Sequence, residues 1–252
     1  MVKFSIIIPC LNEEKNLREL LPLLVGQSDD IILVDSGSTD KSVELAKSFH
    51  LKLLQQEFIN YADNKNRAIL KSLHEWVLLL DADERPDLLF FEEIHKILNL
   101  KEEYKAYWIR RNTFIGAKRI YYSGVQKDKV IRFFKKGFAY YPHVTVHEEM
   151  RVDGKIGFLQ SRLNHYTAEN FEQFEGKIDK YARLLAVERN NQNLQLNLYH
   201  FYFKPFFRWF KHFILQAGFL DGKTGWQFSL AMAKGVRKRY VFMNEMKKTN
   251  LR

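Results

Sequence analysis

The chain has 252 residues, 46% hydrophobic and 28% charged, which bounds it to a globular protein with a full core, one α/β domain or one domain with an appendage. A single cysteine, Cys10, excludes a disulfide framework and a cysteine-based zinc site. The formal net charge is +10, no apolar run approaches the length of a membrane span, and Met1-Val2-Lys3 leads into an apolar segment without a leader pattern, so the expected location is cytoplasmic.

Phe4 to Ile8 is a short apolar run that reads as a strand, broken by Pro9-Cys10-Leu11-Asn12-Glu13-Glu14. Asn16 to Val25 has helical spacing at Leu17, Leu20, Leu21 and Leu24. Ile31 to Val34 predicts a second strand, ending in the small polar loop Asp35 to Asp40, which opens a helix from Lys41 to Ser48. Leu51 to Leu54 is a weak strand, and Tyr61 to Ser72 a helix with Asn64, Lys65, Asn66 and Arg67 in its first turns. Trp76 to Leu80 is an unbroken apolar run leading into Asp81-Ala82-Asp83. The order β-α-β-α-β-α-β predicts a doubly wound parallel sheet. Strand side chains alternate, so Asp81 and Asp83 leave the strand end on one side. Open α/β sheets bind ligands at that end, and paired carboxylates suit a hard divalent cation shared with substrate phosphates. The plainer alternative is that Asp83 caps the helix after Pro86.

Further along, Tyr107 to Asn112 and Val130 to Phe134 read as strands, with a turn at Lys135-Lys136-Gly137. Asp153-Gly154 signals a hairpin between Met150-Val152 and Ile156-Leu159. His147-Glu148-Glu149 precedes it; this is not a His-Glu-x-x-His zinc motif, because position 151 is arginine. Phe171 to Asn190 reads as an amphipathic helix. From Tyr199 to Arg252 there are 11 Lys or Arg against 2 Asp or Glu, and 14 aromatic residues. Phe206, Phe207, Phe210, Phe213 and Ile214 recur at helical spacing with Lys204, Arg208 and Lys211 interleaved. That pattern suits a helix at an anionic membrane surface; the alternatives are a helix packed on the catalytic domain, or nucleic-acid binding, for which no motif is present.

Four stretches in register, SIIIPCLNEEKNL, ILVDSGSTDKSVELA, NKNRAI and WVLLLDADE, resemble the nucleotide-sugar-binding half of family 2 glycosyltransferases. VTVHEEM, LNHYTAENF and KPFFRWFKHFILQAGFLDGKTGW resemble bacterial lipopolysaccharide core β-glucosyltransferases, which extends the likeness over nearly the whole chain. The resemblance implies an α/β GT-A (Rossmann-like) fold with a mostly parallel sheet and a helical C-terminal appendage. It divides the chain into a nucleotide-sugar half at 1–100, an acceptor-side half at 101–168 and a basic, aromatic appendage at 169–252. It implies that Pro9, Asn12 and Glu13 shape the loop beside the nucleotide, and that Asp35 accepts a hydrogen bond from uracil. Asp81 would lie near ribose and metal, and Asp83 would ligate a Mn2+ or Mg2+ ion bridging the diphosphate. His165 would reach the metal or a phosphate, or serve as a structural hydrogen bonder. The family's Arg-Asn pair is Lys65-Asn66 here, so Lys65 and Arg67 are rival phosphate partners, with a plain helix-face charge as the alternative for both. Glu148 is the expected general base, with Glu149 its rival. The implied reaction is inverting transfer of a hexose, glucose first, from a UDP-sugar to a lipid-linked glycan at the inner membrane face, without nucleic acid. Two other classes fit less well: a nucleotidyltransferase, which would need a Gly-rich basic loop after the first strand, and a noncatalytic nucleotide-sugar binder, which would lack Asp83 or Glu148.

Overall fold

A computed structural model of the chain describes residues 3–57, 59–100, 103–142, 149–190 and 194–249. The chain divides into two compact units, Met1–Arg111 with Lys129–His165, and Asn112–Asp128 with Tyr166–Arg252.

The first unit opens with alternating strands and helices: β1 (Phe4–Cys10), α1 (Glu14–Leu24), β2 (Ile31–Asp35), α2 (Ser42–Ser48), β3 (Lys52–Gln55), α3 (Tyr61–Lys71) and β4 (Trp76–Leu79). The strands pair in parallel in the order β3-β2-β1-β4. β1, β2 and β4 are short and mainly apolar because helices cover both faces, while β3 at the edge is half polar. The chain leaves β1 in one direction toward β2 and β3, then returns on its other side as β4. Such a reversal leaves a crevice at the carboxyl ends of the two strands beside it. Pro9 does not end β1; it pairs with Val34, and the strand runs on to Cys10. A proline fits there because it stands one residue from the strand end, where a missing N–H costs least.

β5 (Glu84–Arg85) and α4 (Leu88–Asn99) follow. Asp87, not Asp83, caps α4, accepting from the Phe90 N–H at 2.9 Å. The sheet continues beyond β4 through the antiparallel strands β6 (Tyr104–Ile115), β7 (Lys118–Ile120), β8 (Lys129–Lys135) and β11 (Lys155–Ala168), with β8 against β4 and β5 against β11. β9 (Ala139–Tyr140) and β10 (Arg151–Val152) form a separate small sheet. The predicted hairpin at Asp153-Gly154 is therefore a turn without one: Gly154 bends the chain at φ +135°, but β10 pairs with β9 while β11 joins the main sheet.

One cluster of the first unit's core is centred on Phe133, which is fully buried and stacked on Trp76 at 4.6 Å, with Phe4 edge-on at 6.1 Å. This cluster fixes β8 against β4.

The second unit is mainly helical: α5 (Phe171–Asn190), a helical segment Tyr199–Leu215 with α6 (Lys204–Phe210) at its centre, and α7 (Gly222–Thr249). Phe174 of α5 stacks on Phe228 of α7 at 5.4 Å. Gly235 lets α7 approach α5, since a Cβ there would collide with Ile178. Among the described residues, no helix is long and apolar enough to cross a membrane.

Phe133→Ala is expected to cost about 3–5 kcal/mol, the range for deleting a buried aromatic ring, and Phe133→Leu clearly less. Urea unfolding followed by circular dichroism checks both.

Candidate functional site

The loops after β1 and β2 are stitched together at the carboxyl rim of the sheet. Asn12, at φ +56°, accepts from the Thr39 N–H at 2.8 Å, and its own N–H donates to Ser38 Oγ at 2.9 Å. The Glu13 N–H donates to Ser42 Oγ at 3.0 Å, and the Glu13 carboxylate accepts from Asn16 at 2.6 Å. Asp35 is buried at the end of β2 and accepts from the N–H groups of Gly37 and Ser38 at 3.3 and 3.1 Å. Pro9, Asn12, Glu13 and Asp35 thus share one rim, and the hydrogen bonds of Asn12, Glu13 and Asp35 pre-shape its loops.

The turn between β4 and β5 carries the predicted acidic pair. β5 is only two residues long, yet its pairing with β11 places His165 opposite Glu84. That register brings His165 Nε2 within 3.5 Å of Asp83 Oδ2, both side chains being largely buried. The side chain of Asp81 pairs with the guanidinium of Arg132.

Arg132 is delivered by β8. Phe133 stands opposite Leu78, so the next residue toward the ligand rim is Arg132. Its Nε donates to Glu84 Oε2 at 3.0 Å and its Nη2 to Glu84 Oε1 at 3.0 Å. Glu84 has no exposed surface; it also accepts from Arg111 at 3.2 Å and from the Asp81 N–H at 3.0 Å. A buried carboxylate and a buried guanidinium are tolerable only when paired and hydrogen-bonded in this way. Burial alone would raise the Asp81 carboxyl, but Arg132 first and Lys65 second outweigh it and hold Asp81 below the usual carboxylate range. Burial pushes the nearby Tyr141 hydroxyl up to about 12, so it stays protonated.

The third motif separates into different tasks. Lys65 Nζ lies 4.9 Å from the centre of the Tyr141 ring. Asn66 brackets the Tyr141 backbone, donating to its carbonyl at 2.8 Å and accepting from its N–H at 2.9 Å. Arg67 is taken up locally, by Asp63 at 2.7 Å, the Glu57 carbonyl at 2.9 Å and Asn64 at 2.8 Å. Of the two rivals, Lys65 therefore faces the acidic turn and Arg67 braces its own helix.

His147 and Glu148 lie outside the described residues; Glu149 is exposed. Among the described residues, no three His, Cys, Asp or Glu side chains converge as a metal cage. A small hard cation needs no such cage, because one or two protein ligands plus diphosphate oxygens suffice. Asp83 and His165 are close enough to share one, so the donor set fits. Arg132, Glu84, Arg111 and Tyr141 were missed by sequence reasoning. The usable signal was Arg132 itself, a lone cation inside the apolar run Val130 to Phe134.

Comparison with known proteins places the chain in a family and a fold. The family described as Glycosyl transferase family 2 matches residues 5–150. The lipopolysaccharide core biosynthesis glycosyltransferase LpsC of Rhizobium meliloti is 25% identical, over 94% of this chain and 93% of its own. An uncharacterised glycosyltransferase of Rickettsia typhi is 28% identical, over 92% of this chain and 84% of its own. The crystal structure of S. aureus TarS residues 1–349 in complex with UDP-GlcNAc has the same fold, with a TM-score of 0.51 and 17% identity over 99% of this chain and 92% of that one.

Removing the guanidinium at Arg132 leaves Glu84 and Asp81 without their shared counter-charge. Arg132→Met is expected to lower the unfolding free energy by about 3–5 kcal/mol. Asp81→Asn should cost less, and its cost should vanish in acid. A carboxyl held below its usual value contributes stability above its unfolded pKa of roughly 4, which is lost as pH falls through the folded value. Urea midpoints of wild type and Asp81→Asn should therefore draw together as the pH falls from neutral into the acid range.

Proposed function

The chain belongs to glycosyl transferase family 2, and we propose that it moves a hexose, glucose first among candidates, from a UDP-sugar to a lipopolysaccharide core or related glycan with inversion at the anomeric carbon. The observation that carries this reading is the Asp83–His165 pair at 3.5 Å, beside an Asp81 set by Arg132, at the carboxyl end of β4. The similarity to LpsC along nearly its full length supports a lipopolysaccharide core glycan as acceptor, and in this reading the acceptor is lipid-linked and met at the inner face of the membrane. The binding of UDP-GlcNAc by TarS supports a UDP-sugar as donor.

In this reading Asp35 receives the uracil ring, and the loop of Pro9, Asn12 and Glu13 walls the nucleoside. Asp83 and His165 hold a divalent cation, Mn2+ or Mg2+, with Asp81 alongside. When bound, such an ion neutralises charge on the leaving diphosphate as a Lewis acid. Arg132 keeps Asp81 charged and aimed, and Lys65 adds positive charge on the same side of the turn. Glu148 takes the proton of the acceptor hydroxyl as that oxygen attacks, with Glu149 the alternative base. A single displacement through an oxocarbenium-like transition state converts an α-linked donor into a β-linked product.

A panel of nucleotide sugars, scored for release of free nucleotide with and without manganese, tests the donor class. Asp83→Ala is expected to abolish transfer and the cation-dependent part of UDP binding while the circular dichroism spectrum is retained. Full activity of this variant, or of wild type in excess chelator, refutes the metal assignment.

Glu148→Gln should keep donor affinity and lose about 10²–10⁴ in kcat. A near-normal Glu148→Gln together with an inactive Glu149→Gln moves the base to Glu149.

A further inference from the structure

The helical segment around α6 is apolar on both sides: Pro205 is buried and Phe201 packs on a core cluster, while Tyr202, Phe203, Phe206, Phe207, Ile214 and Leu215 are exposed. Two of its cations and a histidine turn inward. Lys204 donates to the Tyr240 hydroxyl at 3.0 Å, and the buried His212 has Nδ1 2.6 Å from the Ser123 carbonyl. Half-buried Arg208 lies 3.5 Å from His212, so two of the three cations read from sequence as interleaved with the apolar face are on the opposite side. Only Lys211 of the three is exposed. A helix of a protein that meets only water shows the reverse arrangement.

The winding suits this surface. The segment opens and closes in π-turns, Tyr199–Phe203 and Lys211–Leu215, with α6 between them. A π-turn is wider than an α-turn, so the mixture runs at roughly four residues per turn and side chains four apart form a straight column. Tyr199 and Phe203 stack at 5.2 Å, Phe203 and Phe207 at 6.5 Å, and Phe206 and Phe210 at 6.4 Å. Between Leu198 and Leu230, twelve large apolar side chains are exposed among the described residues, an accumulation that marks an interaction surface.

A groove of about 360 Å³ lies between this segment and α7, lined by Pro205, Phe206 and Trp209 on one side and Trp226, Leu230 and Ala233 on the other. Lys234 and Arg237 complete the lining. Both are exposed; Lys234 pairs with Glu175 at 2.9 Å across open surface, a weak contact. Lys211 and Lys223 are exposed on the same stretch of chain. An aromatic channel beside cations, in a region with 11 Lys or Arg against 2 Asp or Glu, complements an anionic amphiphile.

We propose that this face docks the protein on an anionic bilayer, with an acyl chain entering the Trp209–Trp226 groove and lipid phosphates meeting Arg237, Lys234 and Lys211. The phenylalanine column enters the acyl side of the interface, and Tyr199, Tyr202 and Trp226 lie at headgroup level, where amphipathic rings are favoured. Attachment is reversible and screened by salt. The proposal rests on the reading of a membrane-held acceptor, yet its test needs no turnover.

The full chain is sedimented with vesicles of phosphatidylcholine, with or without phosphatidylglycerol. It should pellet with the anionic vesicles at low salt, be released as salt rises, and stay in solution with neutral ones. Fluorescence of the partly exposed Trp226 should shift to the blue on binding. Phe206→Ser with Phe207→Ser should weaken partitioning by at least about tenfold, the effect of withdrawing two rings from an apolar phase. Nucleotide release from the UDP-sugar in solution should be unchanged. Lys211→Gln with Arg237→Gln should weaken the anionic binding and its salt dependence without removing any ring, so a folding defect in one pair does not decide the matter. The proposal is overturned if the protein stays in the supernatant with anionic vesicles at low salt. It is also overturned if the serine variants bind as wild type, or if sedimentation velocity shows them abolishing a dimer instead. Equal salt-sensitive binding of an oligonucleotide through the same residues overturns it too. Vesicle binding without nucleotide release from any sugar donor would refute the transferase reading and leave the docking face standing.

Discussion

The rim at the carboxyl ends of β1, β2 and β4 depends on one buried carboxylate. Glu84 has no contact with solvent, so it must be neutralised inside the protein, and the groups that do this are the ones that organise the site. It takes the forked donors of Arg132, a further bond from Arg111 and the backbone N–H of Asp81. One arm of Arg132 then reaches the Asp81 carboxylate. Glu84 also supplies the backbone pairing that sets His165 beside Asp83. Charge balance in the core and ligand geometry at the rim are therefore one constraint. A lysine in place of Arg132 could supply the charge but not the fork that holds two carboxylates at once.

The parallel half of the sheet was legible because each strand is a short apolar run ended by a polar turn, and local pattern alone sets that. The acidic turn was legible for the same reason, as two aspartates directly after a buried apolar run. What was not legible depends on register. Arg132 stands 48 residues from Glu84, and a lone cation in an apolar strand does not name its partner. His165 could be read only as a candidate, since its closeness to Asp83 follows from a two-residue pairing between β5 and β11. The Asp153-Gly154 turn misled because turn chemistry is local while strand partnership is not: the Asp153 N–H bonds the Phe138 carbonyl at 2.7 Å and draws β10 to β9. Glu148 lies outside the described residues, so its assignment rests on resemblance alone.

The C-terminal region shows a different limit of pattern reading. Helical spacing of aromatic residues identifies an amphipathic helix but not which side faces the rest of the protein. Here apolar side chains face both ways, and two of the cations turn inward. The reason is visible in the partners: the inward groups find specific acceptors at Tyr240 and Ser123, while the rings find mainly one another.

The pairing of Asp83 with His165 has a consequence for the chain as a polymer. The two residues are 82 positions apart (165 − 83), so an ion shared between them would close a long loop, much as a crosslink does. Without it, the ends of that loop are held locally by a two-residue ladder and the Glu84 network. Occupancy of the site would then act as a clasp, and a ligand that binds only the closed loop would raise the melting temperature in proportion to the logarithm of its concentration. Substrate supply would in this way govern how long the protein survives heat and proteases, as well as how fast it turns over.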